Sequence, residues 1–122
     1  MRRQESSENY LEQILILSHK QNEVRAIDIV NSMNFSKPSV SIAMKNLKQN
    51  NCINVSDKGL ITLTEKGLEI AHKVYERHCV ITKTLIQLGV PESIATEDAC
   101  RIEHDLSEES FLAIKNYLEK IK

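Results

Sequence analysis

The stretch CINVSDKGLITLT, residues 52–64, restricts the fold more than any other part of the sequence. Two runs rich in β-branched residues flank Asp57, Lys58 and Gly59, which together carry the turn chemistry of a β-hairpin. Chain breaks are otherwise scarce, because the 122 residues contain three glycines and two prolines in all. The sequence therefore predicts a mainly α protein with one two-stranded ribbon.

Two helices are predicted near the N-terminus. Residues 6–20 repeat apolar side chains at helical spacing behind a serine that can cap the first turn. A second, shorter helix places Ile27, Val30 and Met33 on one face. We expect this helix to end at Asn34, because asparagine tolerates the left-handed conformation that closes many helices.

A third helix is predicted over residues 37–49, with Ser36 as its N-cap and Pro38 in its first turn. Helix, tight turn, helix and then a hairpin is the order of a winged helix-turn-helix, whose later helix enters the major groove of DNA. A polar helix face can also serve solubility alone, but the hairpin that follows favours DNA binding. The predicted DNA-binding residues are Arg25, Ser36, Lys37, Pro38, Ser39, Ser41, Lys45 and Lys58.

The C-terminal half reads as three further helices. A long helix runs from Thr64 to about Leu88, where Gly89 ends it. The next helix begins at Pro91, and Ser107 caps the last one. This half of the sequence therefore predicts an all-helical unit.

Charge is distributed unevenly along the chain. Residues 36–50 hold three lysines and no acid, whereas residues 92–109 hold seven acids and one arginine. The two halves therefore suit partners of opposite charge. We predict a winged helix-turn-helix DNA-binding domain at residues 1–70, followed by an all-helical domain at residues 71–122.

The segment DACRIEHDLS contains three residues that can bind a metal ion. Cys100, Glu103 and His104 lie three and four positions apart, so a helix brings them to one face. A thiolate, a carboxylate and an imidazole suit a borderline divalent ion such as Fe(II), Co(II) or Zn(II), and Mn(II) less well. The alternative is a buried free cysteine beside a surface Glu-His pair. Spacing alone leaves both interpretations open.

Six segments give the chain a recognisable pattern: SSENYLEQI, KPSVSIAMKNL, ITLTEKG, YERHCV, LGVPES and EDACRIEHDLS. With them, nearly the whole chain resembles the diphtheria-toxin-repressor and manganese-transport-regulator family of metal-dependent transcriptional repressors. The resemblance implies a homodimer that binds a palindromic operator in double-stranded DNA and represses metal-uptake genes. It also implies that residues 71–122 form the metal-binding and dimerisation domain of a short, two-domain member.

The resemblance further implies metal ligands from three helices. Asn9 departs from the family pattern and offers only an amide oxygen, so we expect it to be a weak ligand. Cys100 matches the iron-sensing pattern, which favours Fe(II) over Mn(II), Co(II) or Zn(II). The implied ligands are Glu12, His78, Cys100, Glu103 and His104, with Asn9 as the weak one.

Two other functions stay open at this point. One is a winged-helix regulator with a vestigial metal site, which responds to oxidation or to a small molecule. The other is an enzyme that uses Cys100 or a metal, although the sequence has no H-E-x-x-H motif and no Gly-rich phosphate loop. Neither a signal peptide nor a bilayer-spanning run is apparent, so we expect a cytoplasmic protein.

Overall fold

A computed structural model describes residues 6–121 of the chain. The predicted mainly α class, with helices on both sides of one ribbon, is confirmed. In order, the elements are α1 (Ser7–Lys20), α2 (Ala26–Met33), α3 (Lys37–Gln49), β1 (Ile53–Val55), β2 (Ile61–Leu63), α4 (Glu65–Gln87), α5 (Glu92–Asp105) and α6 (Glu108–Lys120).

Local sequence signals account for most helix ends. The hydroxyl oxygens of Ser6, Ser36 and Ser107 each accept a hydrogen bond from the backbone N–H three residues later, at the starts of α1, α3 and α6. Asn34 ends α2 in the left-handed conformation, with φ of 59°. Gly89, with φ of +102°, follows the end of α4. The helices therefore begin and end largely where capping chemistry directs.

The described residues divide into two compact units, 6–72 and 73–121, and the boundary falls within α4. In the first unit, β1 and β2 pair antiparallel, with Asn54 opposite Thr62. The core of this unit takes side chains from α1, α2, α3 and the ribbon. Its buried apolar residues include Leu11, Ile14, Ile29, Met33, Phe35, Val40, Met44, Leu47, Ile53 and Ile61.

The buried face of α2 agrees with the predicted one at Met33 but not at Ile27. Ile29 and Met33 are buried, whereas Ile27 is 44% exposed and Val30 is half-buried. The helix has two overlapping apolar stripes, one through Ile27 and Val30 and one through Ile29 and Met33. Packing in the first unit selects the second stripe, a choice that periodicity does not determine.

Gly67 lies in the first turn of α4, close to the backbone of Cys52. A Cβ atom at position 67 would overlap the carbonyl oxygen of Cys52. That oxygen also accepts a hydrogen bond from the Thr64 N–H. The glycine therefore allows α4 to begin directly against the chain that leads into β1.

The second unit contains α5, α6 and the rest of α4. Among its described residues, the buried apolar side chains are Val74, Ile81, Ala95, Ala99, Phe111 and Leu118. Its exposed large apolar side chains are Ile86, Leu88, Ile94, Ile102, Leu112, Tyr117 and Ile121. In the described part of the chain, every helix lacks the combination of length and apolar character that a membrane span needs.

Candidate metal centre and DNA-binding surface

Three side chains of types that can bind a metal ion converge in the second unit. His78 lies on α4, and Cys100 and Glu103 lie one helical turn apart on α5. His78 Nδ1 is 3.1 Å from Glu103 Oε2 and 3.7 Å from Cys100 Sγ. One ligand atom from each of the three residues lies within 4.8 Å of the other two. A single ion could therefore contact all three side chains.

The electrostatics of this cluster depend on a buried carboxylate. Glu103 is 2% exposed, and an ionised carboxyl group so deeply buried needs a charged or hydrogen-bonding partner. Hydrogen bonds with Cys100 and Glu103 raise the pKa of His78 to about 10, against the opposing effect of burial. At neutral pH the His78 imidazole of the metal-free cluster is therefore protonated.

The second carboxylate oxygen of Glu103 supports the metal interpretation. Oε1 is buried and forms no hydrogen bond within the described residues. His104 Nε2 lies 3.3 Å from it, close enough for an ion pair but not in hydrogen-bond geometry. A buried carboxylate with an unsatisfied oxygen, next to a thiol and an imidazole, has the donor set of a borderline divalent metal. These residues therefore fit such an ion.

The other residues proposed as ligands are placed differently. His104 lies beside Glu103, outside the three-residue cluster that the described residues form. Asn9 and Glu12 lie one turn apart on α1, in the first unit, and are 2% and 1% exposed. Glutamate is rarely buried this deeply without a partner, and the role of Asn9 and Glu12 as ligands stays a prediction.

Arg77 is a residue at this site that the sequence analysis missed. Its Nη1 donates hydrogen bonds to the carbonyl oxygens of Glu103 and Leu106, at 3.1 and 2.6 Å. Its Nη2 lies 2.8 Å from the Glu108 carboxylate, and the guanidinium is 5.1 Å from the centre of the Phe111 ring. The only sequence signal was its position next to His78, because its contacts lie some thirty residues away along the chain.

Helix α3 carries five of the eight predicted DNA-binding residues. Lys37, Pro38 and Ser41 are exposed, and so is Lys45 one turn further on. Ser36 is engaged locally, because its hydroxyl oxygen accepts from the Ser39 N–H at 3.2 Å and lies 2.9 Å from the Ser39 hydroxyl. Ser36 therefore contributes to this surface first as a helix cap.

The remaining predicted residues lie outside α3. Arg25 precedes α2 and forms a 3.1 Å ion pair with Glu23, and Lys58 is exposed at the hairpin turn. Ile42 was missed because the sequence analysis selected polar side chains. It is 62% exposed on α3, and apolar side chains on a recognition helix can contact the methyl groups of thymine.

Comparisons with known proteins agree with these features. The family model described as the metal-binding and dimerisation domain of iron-dependent repressors matches residues 64–122. An HTH-type transcriptional regulator of Methanocaldococcus jannaschii is 34% identical over 120 residues, which cover 97% of this chain and 96% of that protein. The transcriptional regulator MntR of Escherichia coli is 31% identical over 118 residues, which cover 97% of this chain and 76% of that protein.

Solved structures share the fold. The manganese regulator SloR superimposes with a TM-score of 0.84 and 26% identity, covering 98% of this chain and 55% of that one. The present chain thus spans about half the length of that structure. These relatives are transcriptional regulators and not enzymes, which excludes the enzyme alternative. The chain belongs to the diphtheria-toxin-repressor and manganese-transport-regulator family of metal-dependent transcriptional regulators.

Proposed function

We propose that this protein is a homodimeric repressor whose DNA binding is activated by a divalent transition metal at the cluster of His78, Cys100 and Glu103. The single observation that carries the proposal is the buried Glu103 carboxylate, which meets an imidazole and a thiol from two helices. An ion pair between His78 and Glu103 that served stability alone would not require the nearby Cys100 thiol. It would also not leave Glu103 Oε1 buried without a hydrogen bond. The relatives named above, a manganese regulator among them, support the same function.

Glu12, and Asn9 more weakly, are proposed to add ligands from α1. Both are buried on one face of that helix, where a carboxylate oxygen and an amide oxygen are available. His104 is proposed as a further ligand from α5. Ligands drawn from both units would favour one arrangement of the DNA-binding unit. Activation then follows from tighter metal binding to that arrangement than to the others.

Fe(II) is the proposed metal, because Cys100 matches the iron-sensing pattern of the family. When bound, the ion supplies positive charge and shared coordination, and the Cys100 thiolate favours iron, cobalt or zinc over manganese. His78 and Glu103 accommodate all of these ions, so the thiolate is the discriminating ligand. The substitution Cys100→Asp is therefore expected to raise the affinity of the site for Mn(II) relative to Fe(II). The measurement is competition between the two ions for one site, in wild-type and variant protein.

DNA recognition is proposed to use α3 in the major groove and the hairpin on the phosphate backbone. Lys37, Lys45 and Lys58 would neutralise phosphates, Ser41 and Ile42 would face base edges, and Pro38 would fix how α3 begins. Arg25, Ser36 and Ser39 complete the proposed surface. A homodimer presents two copies of α3, so the operator is expected to be a palindrome, read in the cytoplasm. Metal-uptake genes are the proposed targets.

The experiment that tests this function is an anaerobic DNA-binding titration. An operator is first selected from a random duplex library with the metal-loaded protein, and fluorescence anisotropy then measures affinity for it. Titrations in chelator and in Fe(II), Mn(II), Co(II) and Zn(II) are compared at one salt concentration. We expect tight binding only with metal, and most strongly with Fe(II). Equal affinity in chelator and in every metal would refute metal activation.

Two variants assign the effect to the cluster. Glu103→Ala should lose metal-dependent DNA binding, because it removes the buried carboxylate. Glu109→Ala is the matched control, since Glu109 is exposed on α6. A vestigial cluster would instead leave Glu103→Ala fully metal-responsive. Protein that binds no divalent ion but responds to peroxide would support the redox alternative.

A further inference from the structure

Arg77 directly precedes His78 on α4, and successive helix positions point about 100° apart. His78 contacts the Glu103 carboxylate, and Arg77 contacts the Glu103 backbone carbonyl. Two adjacent residues of α4 therefore hold the side chain and the main chain of one residue of α5. Nothing local in the sequence requires that arrangement.

The Arg77 contacts lie at the C-terminal end of α5. The last four carbonyl groups of a helix have no partner within the helix, and a cation there is favoured by the helix dipole. Arg77 donates to the carbonyls of Glu103 and Leu106, the latter being the C-cap residue. It thus supplies from α4 the donors that this helix end needs.

The guanidinium itself is held firmly. Its side chain is 15% exposed, it pairs with Glu108 at the start of α6, and it stacks near the Phe111 ring. A planar group with several donors can satisfy two carbonyls and a carboxylate at once, which a lysine ammonium cannot do in the same geometry. The position of Arg77 is therefore defined by contacts with both α5 and α6.

We propose that Arg77 is a positioning residue of the metal centre. It fixes the C-terminal turn of α5 so that the Glu103 carboxylate faces His78 in the geometry that a metal needs. The inference rests on the proposed metal-dependent function and adds an outer residue to it. Arg77 touches no ligand atom of the cluster, so its effect on a metal passes through the backbone of Glu103.

The test uses the full-length protein and Co(II), whose absorption reports both thiolate ligation and coordination geometry. Arg77→Met keeps much of the side-chain volume without the charge, and Arg77→Lys restores the charge without the planar fork. The matched control is Lys115→Met. Lys115 joins α6 to α4 through an ion pair with Glu76, the neighbour of Arg77. Each protein is titrated with Co(II), and its unfolding temperature is measured without metal.

We expect Arg77→Met to weaken Co(II) binding by about 10–100-fold, the usual effect of losing an outer residue of a metal site. Its absorption bands should also change, Arg77→Lys should fall between it and wild type, and Lys115→Met should match wild type. An Arg77→Met protein that is less stable but keeps wild-type affinity and spectrum would overturn the proposal. If Arg77→Met does not fold, the same two readouts on Arg77→Lys decide.

The outcomes also separate this inference from the proposed function. Wild-type protein that fails to bind Co(II) would refute the metal site and the positioning role together. Wild-type protein that binds Co(II) normally, with Arg77 variants indistinguishable from it, would refute the positioning role alone.

Discussion

The two units of this protein are stabilised in different ways. Residues 6–72 bury large apolar side chains from three helices and a ribbon in one core. In residues 73–121, two of the six buried apolar residues are alanines, Ala95 and Ala99, and many larger apolar side chains are exposed. Buried polar side chains occur in both units. They are Asn9, Glu12 and Gln13 on α1 in the first unit and Glu103, which contacts His78, in the second.

This difference indicates what each unit needs in order to be stable. Burial of large apolar side chains, as in the first unit, contributes most of the favourable free energy of folding. Exposed apolar side chains and a buried carboxylate are stabilised when another subunit and a metal ion supply what the single chain lacks. The family model for this segment describes it as a metal-binding and dimerisation domain, in agreement with that composition. The second unit is therefore the part that should respond to its partners.

The largest expected effect comes from placing charges on the exposed apolar surface of the second unit. Leu88 and Ile94 are 73% and 49% exposed in the single chain. We expect Leu88→Glu combined with Ile94→Glu to raise the dimer dissociation constant at least about 100-fold, from about 1.4 kcal/mol or more at each position. Sedimentation equilibrium over a range of concentrations measures this constant.

Ile27 provides the control for that variant. Ile27 is 44% exposed, close to the 49% of Ile94, but it lies on α2 in the first unit. Ile27→Glu should leave the dimer unchanged. If the two variants have the same dimer dissociation constant, the surface around Leu88 and Ile94 does not form the dimer interface. Dimerisation would then not explain why the second unit exposes so many apolar side chains.

A strong pH dependence of metal binding is expected next. Because its neighbours raise the pKa of His78 to about 10, this residue is protonated in the metal-free protein at neutral pH. A metal ligand must be deprotonated, so a proton leaves His78 when metal binds. Between about pH 6.5 and 8.5, this group alone should raise apparent affinity about tenfold per pH unit. Calorimetry in buffers of different ionisation enthalpy counts the released protons. Affinity that does not change with pH would show that no proton leaves His78 when metal binds, which contradicts the raised pKa in the metal-free protein.

A smaller effect is expected at Gly67 in the first unit. Gly→Ala within a helix usually stabilises by about 1 kcal/mol. Here the added Cβ would overlap the Cys52 carbonyl oxygen, and backbone cannot move aside as a flexible side chain can. We expect Gly67→Ala to lower the free energy of unfolding by about 1–3 kcal/mol, measured by urea denaturation. Glu69→Ala, at an exposed position two residues later, should change it by less than about 0.5 kcal/mol.

Much of the fold could be predicted because its signals are local. The predicted range of the third helix, 37–49, agrees with α3, since Ser36 and Pro38 define its start within three residues of sequence. The hairpin was predictable from Asp57–Gly59 and the flanking β-branched residues for the same reason. The face of α2 was predicted only in part, at Met33, because the choice between Ile27 and Ile29 depends on packing with other elements.

The candidate site was only partly predictable. Cys100 and Glu103 were found from helical spacing, which is a local property. The link to His78 came from a family resemblance, because the 3.1 Å contact with Glu103 joins positions 25 residues apart. Arg77 was missed for the same physical reason. Two of its partners are backbone carbonyls, which leave no trace in the sequence of side chains, and its ion-pair partner Glu108 is 31 positions away.

The smallest effect is expected from a substitution at Lys45. This prediction tests whether the first unit binds DNA. Each lysine that neutralises a phosphate contributes about 0.9 to the slope of log affinity against log salt concentration. Lys45 is exposed on α3, so Lys45→Ala should reduce that slope by about 1.8 when a dimer binds one operator. Affinity should fall similarly for specific and nonspecific DNA. Lys120→Ala, on α6 in the second unit, is the control and should leave the slope unchanged. A slope reduced by about 0.9 would instead indicate that one subunit contacts DNA through Lys45, and an unchanged slope would remove Lys45 from the interface.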